Sequence, residues 1–221
     1  FDDKYDQYMR EKKLENYNKI KKFHIKKNNF DLNYEKNLYC KNKLKKFHIP
    51  YEKLILVHVR DNNYRNDKGR KSYRNSNINT YIESIKYLIK KGYFVIRAGR
   101  KPSKKINFKS KNFLDYSKLD TQEDIIDLYL MKKCKYFIGT QSGILDLAQL
   151  FYKPVLTTNM VEIYSKYPFK SNDRGIFKQV KRRGDLVKIN DFVKLNFKYH
   201  NPTTQINDLT FIDNDEEEIY Y

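Results

Sequence analysis

Between residues 54 and 160 the chain alternates short apolar runs with longer amphipathic stretches, and the two periods predict two kinds of element. The runs at 54–59, 93–98, 113–116, 135–139 and 154–157 are rich in β-branched and aromatic residues, the pattern of strands covered on both faces. Between them, Ile78, Tyr81, Ile82, Ile85, Leu88 and Ile89 recur at helical spacing and predict a helix over 77–91, with Gly92 as its stop. Thr121 and Asp124 have the spacing of a capping box for a helix from about 123, whose stripe is Ile125, Ile126, Tyr129 and Leu130. A third helix opens at Ser142 and is apolar on most sides through Ile144, Leu145, Leu147, Ala148, Leu150 and Phe151, which predicts deep burial. Strand and helix in strict alternation predict βαβ units, hence a parallel sheet with right-handed crossovers and helices on both faces.

The flanks are less periodic. Residues 1–49 are dominated by charge, with Tyr5, Tyr8, Met9, Leu14, Tyr17, Ile20 and Phe23 at loosely helical intervals and a second helical stretch over 38–47. They read as a helical lead-in that either lies against the sheet or leads out of another domain, and Pro50 marks the boundary of the main domain, 50–221. Beyond Asn159 the pattern predicts a basic loop over 170–184, a strand at 186–189, a short helix from Asn190 and a last strand at 209–212. The end, NDEEEIYY, reads as the capped first turn of a helix, and the start at Phe1 reads as that of a fragment of a longer protein.

A length of 221 residues suits one doubly wound domain. The net charge of +19 invites a nucleic-acid reading, but the Lys residues are spread along the chain rather than clustered. Alanine occurs only at Ala98 and Ala148 while Asn, Ile and Tyr abound, a composition that AT-rich codons produce. The charge is therefore read first as compositional, then as attraction to anionic lipid or polyanionic substrate, and last as nucleic-acid binding. Cys40 and Cys134 lack metal-ligand spacing and read as small buried hydrophobes. The isolated His24, His48 and His200 and the absence of an acidic pair between apolar runs predict no essential metal. No window is long and apolar enough to span a bilayer, and the expected setting is a reducing, cytoplasmic one.

The chemistry sits where the apolar runs stop. Residues 54–64 read LILVHVRDNNY and residues 135–146 read KYFIGTQSGILD. The first run ends in His58, Arg60 and Asp61, with His58 and Arg60 on one face of the strand; the second ends in Thr140, Gln141, Ser142 and Gly143, a turn that opens a helix. In an open parallel sheet ligands bind at the carboxyl ends of the strands, so a donor fork at one end and helix amides at the other suggest a diphosphate held between them. The alternatives are a salt bridge from Arg60 to Asp61 and an ordinary Ser-capped helix. Arg97 and Gly99 end a further run and Asp115 and Tyr116 another; these are candidates for the base and ribose, the alternative being surface or capping positions. The cation- and aromatic-rich loop 61–75, with Tyr64, Arg65 and Arg74, either covers the leaving diphosphate or is a solvated connector.

At these residues the chain resembles the C-terminal donor-binding halves of GT-B glycosyltransferases, specifically bacterial ones of surface-polysaccharide gene clusters. The matching motifs are HVRD at 58–61, YRN at 73–75, VIRAG at 95–99, DY at 115–116, FIGTQSG at 137–143 and PVLTTN at 154–159. The segment 214–219 is similar to the start of that family's closing helix. More distantly, the HxR strand end and the FxGTxS turn resemble the GDP-fucose-binding motifs of fucosyltransferases.

The resemblance implies a Rossmann-like domain and an inverting, metal-independent transfer of a hexose or deoxyhexose from a nucleotide-sugar, with no tightly bound cofactor. Arg60 would neutralise the leaving diphosphate, and Thr140, Gln141, Ser142 and Gly143 would hold it. It implies a surface glycan or lipid-linked acceptor; separately, the basic loop at Lys181, Arg182 and Arg183 reads first as a solvated face and second as a peripheral contact with acceptor or with the inner face of the membrane. A GT-B enzyme also has an N-terminal acceptor domain, for which residues 1–49 are too short; the general base lies there or is His58 or Asp61. Two rivals stand beside this reading. One is a transferase of a CMP-sugar or other activated group; the other is a non-catalytic module that binds polyanion or nucleic acid.

Overall fold

The computed structural model describes residue 15 and residues 31–61, 63, 72–100, 102, 104–120, 122–161, 170–189, 191 and 208–220. Helix α1 (Tyr34–Leu44) opens on Asn33, whose side chain accepts from the Lys36 N–H. There follow β1 (Leu54–His58), α2 (Ile82–Lys90), β2 (Phe94–Arg97), β3 (Phe113–Asp115), α3 (Asp124–Lys133), β4 (Tyr136–Gly139), α4 (Gly143–Leu150) and β5 (Val155–Met160). The chain then runs through β6 (Arg174–Phe177), β7 (Gln179–Arg182), β8 (Asp185–Leu186), β9 (Leu209–Ile212) and α5 (Glu216–Tyr220).

Strands β1 to β6 form one sheet in the order β3-β2-β1-β4-β5-β6, with every pair parallel. This is the doubly wound, Rossmann-like α/β arrangement, in which the chain winds outward from β1 to β3 and then returns to lay β4 on the other side of β1. The reversal leaves a crevice between the carboxyl ends of β1 and β4.

Side-chain alternation explains the two cores. Leu54, Leu56, Phe94, Ile96, Phe137 and Val155 point to one face and pack with Cys40 and Leu44 of α1, Ile126 and Leu130 of α3, and Leu145 and Ala148 of α4. Ile55, Val57, Val95 and Ile138 point to the other, against Ile78 and Tyr81 of the 3-10 turn that precedes α2, Ile85 of α2 and Ile219 of α5. Leu32, Cys40, Leu44 and Ile49 all belong to the first core, so this part of the lead-in lies against the sheet. Both cysteines are buried thiols, as their spacing predicts.

The sequence misplaces several features. The segment 170–184 carries β6 and β7, not a loop: these strands are short and partly exposed, so their polar residues hide the period. β7 turns into a second, antiparallel sheet, β8-β7-β9, anchored by Tyr73, which packs with Val161 and Val180 and lies 5.4 Å from the Phe211 ring. The strand expected at 186–189 is Asp185–Leu186, and β5 runs on to Met160. At α3 the N-cap is Glu123, which makes no side-chain cap bond; Thr121 and most of the helix expected from Asn190 lie outside the described residues. The final helix does form a capping box: Glu218 N–H donates to Asp215 Oδ1 at 2.8 Å and Asp215 N–H to Glu218 Oε2 at 3.1 Å. Among the described residues, no helix is long and apolar enough to cross a membrane.

Candidate functional site

The register of β1 and β4 sets His58 beside Gly139, so the two runs that end in polar chemistry end side by side. Beyond the last pair the contact continues: Thr140 N–H donates to the His58 carbonyl at 3.1 Å, and Arg60 N–H donates to Thr140 Oγ1 at 2.9 Å. A Cβ on Gly139 would sit 2.5 Å from the His58 carbonyl oxygen, so only glycine allows this approach. Thr140 is fully buried and acts as the stitch between the two strand ends.

Ser142 is the N-cap of α4 with extended backbone, and its hydroxyl does not cap the helix. Gly143 begins the helix exposed, and a Cβ built there meets nothing within 4 Å. Neither crowding nor left-handed backbone demands glycine at this position, and the space beside its Cα is open.

The segment after the long loop closes the other wall. Arg60 Nη1 donates to Asn75 Oδ1 at 2.9 Å, and Ser76 N–H donates to the Arg60 carbonyl at 3.1 Å. The Arg74 guanidinium is buried and donates to the Gln141 carbonyl, while Gln141 Oε1 accepts from Val161 N–H at 2.8 Å. Gln141 thus ties the β4 turn to the end of β5. The Ser76 hydroxyl is buried and has no hydrogen-bond partner among the described residues, which in a polar crevice calls for a water or a ligand group.

No protein-family model matches the chain, and no curated protein does. Among solved structures it is similar to a glycosyl transferase family 9 protein from Veillonella parvula, at 10% identity and a TM-score of 0.48, over 86% of this chain and 50% of that one. It is also similar to the ADP-heptose LPS heptosyltransferase II of E. coli, at 15% identity and a TM-score of 0.47, over 79% and 50%. The chain spans about half the length of each.

The ends of β2 and β3 differ from what their sequence suggests. Arg97 is 2% exposed and its partners are internal: Nη1 donates to Asp115 Oδ2 at 3.3 Å and Nη2 to the Lys104 carbonyl at 2.9 Å. Asp115 is further engaged by Lys118 at 3.2 Å and by the Ser117 hydroxyl. Both candidate nucleoside contacts are therefore held mainly by each other, because the register sets Arg97 directly beside Asp115. Tyr116 must be corrected outright: its ring is wholly buried in the first core and its hydroxyl accepts from Glu123 N–H at 3.4 Å, so it presents no face to a base.

Gly99 has φ +121°, and a Cβ there would lie 2.9 Å from His58 Nδ1. This glycine makes room for the His58 ring, which lies against it with Nδ1 3.2 Å from the Ala98 carbonyl. Donation from Nδ1 fixes the tautomer and leaves Nε2 as the acceptor. Burial, and secondarily the neighbouring Arg97 charge, lowers the His58 pKa to about 4, so the ring is neutral near pH 7 and a weak base. Asp61, half-buried at the mouth, accepts from Asn63 N–H at 3.0 Å.

Tyr64 and Arg65 lie outside the described residues. Among the described residues no three His, Cys, Asp or Glu side chains form a metal-binding group. Ser76, Lys178 and Asp213 join the site only through the tertiary structure. The last two stand just past strand ends, with no local pattern to single them out.

Proposed function

We propose that this chain is the donor-binding half of a glycosyltransferase, which moves a hexose or deoxyhexose from a nucleoside diphosphate sugar to a surface glycan or lipid-linked acceptor. The observation that carries the reading is the strand order: it brings Arg60, at the end of β1, beside the open amino end of α4 at the crevice where the winding reverses. In this reading the acceptor hydroxyl attacks the anomeric carbon as the bond from that carbon to the diphosphate oxygen breaks. The electron pair leaves with the nucleoside diphosphate, and a base takes the acceptor proton; a direct displacement inverts the centre.

Arg60 and the α4 amides stabilise the charge that grows on the diphosphate, without a metal ion. Asp61 suits the role of base better than His58, whose Nδ1 is engaged and whose basicity burial suppresses. A base from an acceptor-binding domain serves equally. The reading carries a cytoplasmic location at the inner face of a membrane, with the exposed Arg182 and Arg183 as a peripheral contact.

The test is a thermal-shift titration of the full chain with GDP, UDP, ADP, CDP and CMP, with Mg²⁺ or with EDTA, and with Arg60→Ala as control. A shift from one diphosphate that persists in EDTA and disappears in the variant is the expected result. A shift from CMP alone would point to the CMP-sugar class. Salt-sensitive nucleic-acid binding that ignores Arg60→Ala, with no nucleotide shift, would overturn the reading.

A further inference from the structure

An ion pair far along the chain, its lysine buried and its carboxylate partly exposed, is hydrogen-bonded to the wall that holds Arg60. Lys178 stands between β6 and β7, with its side chain 2% exposed. Its ammonium donates to Asp213 Oδ1 at 2.6 Å and to the Asn75 carbonyl at 2.7 Å. The other oxygen of Asp213 accepts from Asn77 N–H at 3.2 Å. Residues 75 and 77 are therefore gripped from the same side by the two members of one pair, and between them Asn75 turns its Oδ1 to the Arg60 guanidinium.

The pair is itself built in on both sides. Lys178 N–H donates to the Met160 carbonyl, and next to Asp213, Asn214 exchanges bonds with Asn159: Asn159 N–H donates to Asn214 Oδ1 at 2.6 Å and Asn214 N–H to Asn159 Oδ1 at 2.7 Å. The bonds run without a gap from the end of β9, through Asp213, Lys178 and Asn75, to Arg60.

Burying the Lys178 ammonium beside a partly exposed carboxylate is a poor means of gaining stability, since a well-packed neutral side chain of similar size often serves as well. What such a pair does supply is direction, because its donors and acceptor tolerate little displacement. We infer that Lys178 and Asp213 are positioning residues that, through Asn75, hold the Arg60 guanidinium in the orientation that receives a diphosphate. The inference rests on the donor-site reading for its ligand, but the positioning itself is a property of the chain alone.

The experiment uses the full chain and the double variant Lys178→Met/Asp213→Asn. That variant removes both charges together, so no unpaired ion remains, and it keeps an acceptor for Asn77 N–H while breaking the tether to Asn75. Two quantities are measured: the Arg60 guanidinium N–H resonance without ligand, identified by its loss in Arg60→Ala, and the affinity for the nucleoside diphosphates and for inorganic pyrophosphate. The expected result is a sharp Arg60 resonance that broadens in the double variant. It is accompanied by about a tenfold loss of diphosphate affinity, and by no further loss when the double variant is combined with Arg60→Ala.

An unchanged resonance in a folded double variant would overturn the inference whatever binds. So would an affinity loss of the same factor in the Arg60→Ala background, which is the mark of general loosening. If the resonance broadens as expected but neither nucleotide nor pyrophosphate binds the parent chain, the positioning is supported and the donor-site reading falls. A drop in melting temperature alone, with the resonance unchanged, marks the pair as merely structural and also overturns the inference.

Discussion

Two apolar runs of the sheet close on an arginine at its carboxyl end, one within the strand and one two residues past it, and their fates differ. Arg97 ends β2 in the outer half of the sheet, where the next strand places Asp115 beside it; it is 2% exposed and its guanidinium is shared between a carboxylate and a backbone carbonyl. Arg60 follows β1 at the reversal of the winding, is only half-buried, and donates to the neutral amide of Asn75. A guanidinium that meets a carboxylate in the register of the sheet becomes part of the fabric. One that stands where neighbouring crossovers diverge borders a crevice. The difference lies in the strands on either side, not in the local sequence, since both arginines close apolar runs.

Arg97→Ala leaves Asp115 in a half-buried site with only Lys118 and Ser117, and is expected to cost about 3–5 kcal/mol of stability in urea unfolding. A loss well under about 1 kcal/mol would show that Arg97 is free to serve a ligand instead.

Arg60→Ala is expected to behave in the opposite way, with little change in melting temperature and a fall in transfer by the full-length enzyme of about 10²–10³-fold, the effect of losing one preorganised donor to a developing charge. Near-normal transfer would remove Arg60 from the mechanism.

His58, which lies against Gly99 between the two regions, sharpens the contrast through pH. Its folded pKa of about 4 lies below the ordinary value of 6.5, so the unfolded chain binds more protons between those values and stability rises with pH across that window. The contribution is complete above about pH 6.5 and is lost as pH falls toward 4, amounting to at most about 3 kcal/mol. Urea midpoints measured from pH 4 to 7 on the parent and on His58→Gln check this; an equal slope in both would sink it.

The two glycines make the finest distinction. Gly99→Ala places a methyl group against the His58 ring on left-handed backbone and is expected to destabilise by roughly 1–3 kcal/mol. Gly143→Ala meets nothing within the chain, so it is expected to change stability by less than about 0.5 kcal/mol while weakening diphosphate binding. Equal affinities for the parent and Gly143→Ala would mean that no ligand approaches the start of α4.

Much of this architecture is legible along the chain because it rests on local periods. Doubly buried strands need uninterrupted apolar runs, and α2 needs its apolar face at helical spacing with a residue at Gly92 that accepts φ +85°; each requirement leaves its mark within a dozen residues. The same holds for the polar turn after β4 and for the Asp215–Glu218 box, both of which are contacts between near neighbours.

What escaped the sequence is everything decided by which strands become neighbours. β6 and β7 read as a loop because strands at a sheet edge and in a small ribbon are exposed and need not alternate clearly. Tyr116 read as a ligand contact, although its ring points into the core from the turn after β3. Arg60 and Arg97 look alike in one dimension and are separated by Asp115, Asn75, Lys178 and Asp213, residues brought near them from as many as 153 positions away only when the sheet closes. Periodicity is a property of adjacent residues and survives in the sequence; the pairing of a charge with its partner depends on register and strand order, which the packed core alone establishes.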